Sequence, residues 1–262
     1  MSNETVLVTG ASSGIGMELA KCFAADGCRL ILVARNVQAL QSLADKLHKT
    51  HGVDTRILIA DLAKPETPER IFNELKTDNI IVDVLVNNAG FGARGQFVAL
   101  PLQRQLEMVQ VNVVALTHLT GLFLPGMIER RRGGVLNVAS AAAFQSGPGM
   151  AVYYATKAFV LSFSEAIAEE TTGKGVKITA FCPGSVKTNF ASVASILGTP
   201  YVSKGSASAE AVARYGHRAF RHGQIVAVPG LRNRFRAFAV RLFPRRIIRR
   251  YVKSLNAVDL KI

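Results

Sequence analysis

At 262 residues and 49% hydrophobic composition, the chain is long enough for one large α/β domain and too apolar to be disordered. No run approaches about 18 uninterrupted apolar residues, and the opening MSNETVLVTG has no basic region or cleavage site. A cytoplasmic protein without a spanning helix is therefore expected, and the net charge of +14 is local: nine Lys or Arg and no Asp or Glu lie between Pro229 and Asn256, leaving +5 for the rest.

The elements alternate in chain order. TVLVTG (5–10) is a short apolar run ending in glycine, which predicts a buried strand. A helix follows over 14–26, then strand two over 28–35. Residues 36–50 have the 3.6-residue period of an amphipathic helix, with Leu40, Leu43 and Leu47 on one face. Strand three spans 54–62, a helix 67–77, and strand four 82–90. One long helix is predicted over 102–130, then strand five over 133–140 and a helix over 151–172. Strand six covers 177–184, a helix 208–221 and strand seven 224–230. Seven strands separated by helices predict right-handed crossovers and a seven-stranded parallel sheet with helices on both faces. The domain is expected over 1–230, with an extension over 231–262.

The segment TGASSGIG (9–16) leaves strand one and opens a helix. Gly10, Gly14 and Gly16 permit a tight turn and close approach of a pyrophosphate, whose charge the helix start favours. An NAD site usually carries an acidic residue about twenty positions further on. This chain has Arg35, followed by Asn36, which suits a 2′-phosphate and favours NADP. Asp61 ends strand three, where it can face an adenine or cap a turn. Asn87-Asn88-Ala89-Gly90 ends strand four in residues that suit either a bend against a cofactor or an ordinary turn. Cys22, Cys28 and Cys182 are too few and too odd for a disulfide framework, and no Cys or His pair has metal-site spacing.

Tyr153 precedes Lys157 by one helical turn, so both side chains share a face. A lysine ammonium one turn away lowers the pKa of a phenol, which otherwise titrates near about 10. Together, Gly10-x-x-x-Gly14-x-Gly16, Asp61, Asn87 to Gly90, Asn112, Ser140, Tyr153-x-x-x-Lys157 and Pro183-Gly184 resemble the short-chain dehydrogenase/reductase family over roughly residues 3 to 230. The resemblance implies a single-domain, doubly wound Rossmann fold and hydride transfer between NAD(P)H and a small-molecule carbonyl or alcohol, with Arg35 favouring NADP(H). It implies Tyr153 as general acid and base, Ser140 as donor to the substrate oxygen, and Asn112 as a water ligand beside Lys157. It places the cofactor against Ser12, Ser13, Ile15, Leu62, Asn88, Ala89, Gly90, Val186 and Thr188 as well. It also implies a homo-oligomer built through the helices 102–130 and 151–172.

The segment 189–207 is expected to be a lid. Phe190, Val193, Ile196 and Leu197, with Phe91, Phe144 and Met150, predict a pocket for apolar, uncharged carbonyl compounds. Tyr154 is expected to be packing or pocket wall. In the extension, Leu231, Phe235, Phe238 and Leu242, then Ile247, Ile248, Tyr251, Val252 and Leu255 after Pro244, have helical spacing with arginines on the other face. Three expectations stay open for it: peripheral contact with an anionic membrane, a subunit interface, or a cover over the chain's own site. A regulatory or nucleic-acid-binding protein that senses NADP(H) without turnover is the competing reading. Nucleic acid is the less expected partner, because the positive charge is confined to the extension.

Overall fold

The computed structural model describes residues 4–196, 199 and 206–256. Its strands are β1 (Thr5–Thr9), β2 (Arg29–Ala34), β3 (Thr55–Ile59), β4 (Val84–Asn87), β5 (Gly134–Val138), β6 (Lys177–Phe181), the two-residue β7 (Val186–Lys187) and β8 (Ala207–Ser208), and β9 (Val226–Ala227). Seven of them form one parallel sheet in the order β3-β2-β1-β4-β5-β6-β9, and β7 pairs β8 separately. The helices are α1 (Gly14–Ala25), α2 (Val37–His51), α3 (Thr67–Thr77), α4 (Leu102–Val109), α5 (Leu116–Glu129), α6 (Ala151–Glu170), α7 (Phe190–Val193), α8 (Ala209–Arg221), α9 (Leu231–Ala239) and α10 (Arg245–Asn256).

The strands are apolar on both faces because helices cover both. Val6 and Val8 of β1 pack with Val84 and Val86 of β4 against Leu19, Phe23 and Leu40. Leu7 and Leu85 point the other way, toward Ile71, Leu119 and Met127. This two-residue alternation fixes the register of each strand. Strand order reverses at β1, which lies between β2 and β4, so the crevice opens at the carboxyl ends of those strands. Helix α2 shows both of its stops. Ala39 N donates to Asn36 Oδ1 at 2.9 Å at the start, and Gly52 takes φ +64° at the end.

A buried polar chain crosses the middle of the sheet. Asn87 Nδ2 donates to Asn137 Oδ1 at 2.9 Å and to Thr120 Oγ1 at 3.1 Å. Asn137 Nδ2 in turn donates to Ser164 Oγ at 3.0 Å. It ties β4 and β5 to α5 and α6.

Two expectations need correction. The stretch 102–130 is not one α-helix, because a π-helical segment, Gln110–Ala115, divides α4 from α5. The wider turn lets Asn112 reach sideways, where Nδ2 donates to Phe91 O at 3.0 Å and to Thr156 Oγ1 at 3.1 Å, while Oδ1 accepts from Phe91 N at 3.1 Å. Although Leu102–Glu129 is long and apolar enough to cross a membrane by length and composition, Met108, Leu119 and Met127 are buried within the protein. Strand seven is expected over 224–230, but β9 pairs only Val226 and Ala227 with β6. It is an edge strand, and Pro229 has no N–H with which to extend it.

Candidate active site

A single cleft of about 760 Å³ runs along the carboxyl ends of the strands. Of the residues singled out in the sequence, Gly10, Ser12, Ser13, Gly14, Ile15, Arg35, Asp61, Leu62, Asn88, Ala89, Gly90, Ser140, Tyr153, Lys157, Pro183, Gly184, Val186 and Thr188 all line it. Gly16 and Asn112 do not.

At one end the β1–α1 turn holds Gly10 and Gly14 at φ +65° and +57°, which only glycine adopts without strain. Ser13 precedes α1 in extended conformation and its side chain makes no capping bond. The first N–H groups of α1 are thus available to an anion. The turn is held from β4: Asn88 Nδ2 donates to Thr9 O at 2.9 Å and Gly10 O at 3.2 Å, and the backbone N–H groups of Asn88 and Ala89 both donate to Thr9 Oγ1 at 3.0 Å. A Cβ on Gly16 would overlap the Asn88 amide and the Gly10 carbonyl oxygen. Gly16 therefore lets α1 approach β4, and it does not line the cleft. Beyond β2, Arg35 is three-quarters exposed and lies 3.9 Å from Asp61 Oδ2. Asp61 Oδ1 also accepts from Ala63 N at 3.0 Å, so Asp61 closes its own turn as well as facing the cleft.

At the other end Ser140, Tyr153 and Lys157 are all buried. Ser140 follows β5, and its Oγ accepts from Ala142 N at 3.1 Å. It lines the same cleft as Tyr153. Lys157 Nζ donates to Val138 O at 2.7 Å, anchoring the ammonium to the strand that carries Ser140. Burial lowers Lys157 to about 8, with a small opposing contribution from Cys182. Tyr153 is shifted opposite to expectation. Burial pushes its phenol well up, and the neighbouring Ser140 side chain brings it only partly back. Burial likewise pushes the Cys182 thiol up to about 12, so it stays a neutral thiol. Asn112 is buried beside this set, but its amide clasps the Phe91 backbone and Thr156 rather than facing the cleft.

The Lys157 value carries a pH prediction. Below about 8 the ammonium is charged and can stabilise a developing phenolate; above it that charge is lost. For a reaction that uses this charge, kcat/KM is expected to fall as pH rises through about 8. A profile flat across that range would show that Lys157 is not the titrating group.

Phe91, Met150, Tyr154, Phe190, Val193 and Ile196 form the walls beyond Tyr153. Phe144 is not among them; it lines a smaller cleft with Val226 and Phe238. Leu197 and residues 198 and 200–205 lie outside the described residues. Two wall residues were not legible in the sequence. The Arg104 guanidinium stacks 3.9 Å over the Phe91 ring and pairs with Glu107 at 3.5 Å. Asn256 arrives from the extension: Nδ2 donates to Pro148 O at 2.8 Å, Oδ1 accepts from Tyr154 OH at 3.4 Å, and its carbonyl accepts from Arg94 Nε at 2.9 Å. No spacing signals a partner more than a hundred residues away.

Comparison with known proteins gives the same picture. A very-long-chain 3-oxoacyl-CoA reductase from Anas platyrhynchos is 32% identical over 193 residues, 71% of this chain. The match spans 61% of that relative's length. A short-chain dehydrogenase from Sphingobium yanoikuyae, solved in complex with NADPH, superposes with TM-score 0.82 at 32% identity, covering 90% of this chain and 92% of that one. A 7β-hydroxysteroid dehydrogenase superposes with TM-score 0.86 at 26% identity, covering 96% of this chain and 97% of its own. The short chain dehydrogenase model matches residues 4–195. With the glycine turn at one end of the cleft and the buried Ser140, Tyr153 and Lys157 at the other, the chain belongs to the short-chain dehydrogenase family of oxidoreductases.

Proposed function

We propose that the protein is an NADP(H)-dependent oxidoreductase that interconverts bulky, apolar ketones and their secondary alcohols, with Tyr153 as proton donor in reduction and acceptor in oxidation. One observation carries the reading: the same cleft reaches from Arg35, past the open start of α1, to the buried Tyr153 and Ser140. The NADPH in the Sphingobium relative and the steroid named for the other superposed enzyme support cofactor and substrate class.

When bound, NADP(H) supplies or accepts the hydride at the substrate carbon. The chain's residues handle the oxygen. Ser140 Oγ already accepts a hydrogen bond from Ala142 N, so its own proton is available to the substrate oxygen. Tyr153 donates its proton to that oxygen as negative charge develops. Lys157, charged below about 8, stabilises the phenolate left behind. The apolar walls exclude water from this step and leave uncharged substrates the better fit. Arg35 binds the 2′-phosphate, and the N–H groups of α1 bind the pyrophosphate. The protein acts as a homo-oligomer, a reading supported by Val114 and Phe159, which are 43% and 40% exposed on the elements expected at the interface. It works in the cytoplasm.

A panel of aliphatic, aromatic and steroidal ketones, assayed with NADPH and with NADH, tests the reading. Turnover is expected with NADPH on bulky apolar ketones; no turnover on any of them would overturn it. Arg35→Glu is expected to weaken NADPH binding by about 2 kcal/mol, roughly thirtyfold, and to leave NADH nearly unaffected. Equal losses for both cofactors would remove Arg35 from the 2′-phosphate site.

A further inference from the structure

Helix α10 has two faces with different tasks. Ile248, Val252 and Leu255 follow helical spacing; Val252 and Leu255 are buried, and Val252 and Ile248 join the cluster that holds Tyr153, Tyr154 and Met150. Asn256 closes the same face onto the cleft wall. One flank of that face is uncovered, and the arginines occupy the side opposite it. Ile247 and Tyr251 are 53% and 46% exposed. They are joined by Leu242 and Phe243 from the connecting turn and by Leu231, Phe235 and Phe238 of α9, a helix with no buried residue. Seven large apolar side chains are therefore exposed on one short stretch of chain, well beyond the scattered single residues of an ordinary surface.

The charge around them narrows the occupant. Residues 229–256 hold nine Lys and Arg and no acidic residue, and Arg241, Arg245, Arg246, Arg249, Arg250 and Lys253 are all exposed. A second copy docking face to face would bring two such clusters together, and like charges across an interface are strongly disfavoured. Docking elsewhere on another copy meets a body whose net charge is still +5. A nucleic acid would match the charge but leave the phenylalanines without a partner. A bilayer with anionic headgroups matches both, since arginines meet the headgroups while the aromatic and aliphatic side chains enter the acyl boundary.

We propose that α9, the turn 240–244 and the outer face of α10 form a docking surface for an anionic membrane. Because α10 also forms part of the substrate wall, docking sets that end of the cleft beside the lipid, where an apolar ketone is concentrated. This second step rests on the oxidoreductase reading above; the docking does not.

Sedimentation with vesicles tests it on the full chain. The protein is expected to pellet with phosphatidylcholine vesicles containing phosphatidylglycerol, to stay in solution with phosphatidylcholine alone, and to be released by salt. The triple substitution Phe235→Ser, Phe238→Ser, Phe243→Ser is expected to lower pelleting at least about tenfold. It should leave NADPH binding, read by fluorescence, and turnover of a small soluble ketone unchanged. Pelleting by parent and variant alike, no pelleting by either, or a substitution-sensitive dimer in place of vesicle binding would each overturn the docking surface. A chain that pellets as expected but reduces no ketone would leave the docking standing and sink the oxidoreductase reading instead.

Discussion

The Tyr153→Phe protein is expected to bind NADPH as the parent does and to reduce ketones about a thousandfold more slowly. The substitution removes one oxygen and keeps the ring, whose contacts with Phe190 at 5.2 Å and Tyr154 at 6.1 Å hold that wall together. Folding and cofactor binding should therefore survive. What is lost is the proton that meets the developing alkoxide. The raised phenol pKa strengthens the expectation, because the group stays protonated throughout the neutral range and is present as a donor in essentially every molecule. Single-turnover rates and NADPH titration separate the two effects. A variant that turns over at the parent rate would show that water or Ser140 delivers the proton. A variant that no longer binds NADPH would show that Tyr153 is a cofactor contact first.

Gly16→Ala is expected to be the most destabilising single methyl in the site. Its new Cβ would overlap a backbone oxygen, that of Gly10, and the Asn88 amide that fastens the turn to β4. Neither can swing away cheaply. Overpacking together with a displaced buried hydrogen bond amounts to about 3 kcal/mol, or roughly 6–12 °C in Tm. Gly14→Ala is the control. It carries the cost of a left-handed backbone, about 1–2 kcal/mol, but its Cβ would meet only the Thr188 side chain at 3.1 Å. Thermal melts of the two variants should rank Gly16→Ala clearly lower. Equal melting temperatures would mean that the turn moves freely, and that the close approach of α1 to β4 is not what the third glycine provides.

The three glycines also show what can be read from sequence and what cannot. Their spacing predicts a tight turn, and the turn is there, but it does not tell the two residues that face the cleft from the one that lets α1 approach β4. That distinction depends on Asn88, which is seventy-two positions away in sequence and adjacent in space. Strands β1, β2, β4 and β5 were legible because burial on both faces leaves a short, unbroken apolar run between turn residues. The π segment was not, since Gln110–Ala115 reads like the helix on either side of it, and a polar residue such as Asn112 in an apolar helix has many readings, a local kink among them. The Tyr153 and Lys157 pair was placed correctly on one helix, yet the direction of the phenol shift was not. A charge one turn away is visible in the sequence, whereas the loss of water around a side chain is a property of the folded packing. Asn256 and Arg104 were missed for the same reason: each acquires its place in the wall only through contacts with segments remote in the chain.

The asparagines at the centre of the sheet have a consequence for the geometry of catalysis. Asn87 immediately precedes Asn88, the anchor of the glycine turn, and Asn137 lies three residues before Ser140. Sliding β4 past β5 by a single position would carry Asn87 away from Asn137 and strand two amides among hydrocarbon, an outcome costly enough to forbid alternative alignments. The bond between these two side chains thus acts as an indexing pin: it fixes how far the glycine turn stands from Ser140 at the other end of the cleft, before any ligand arrives.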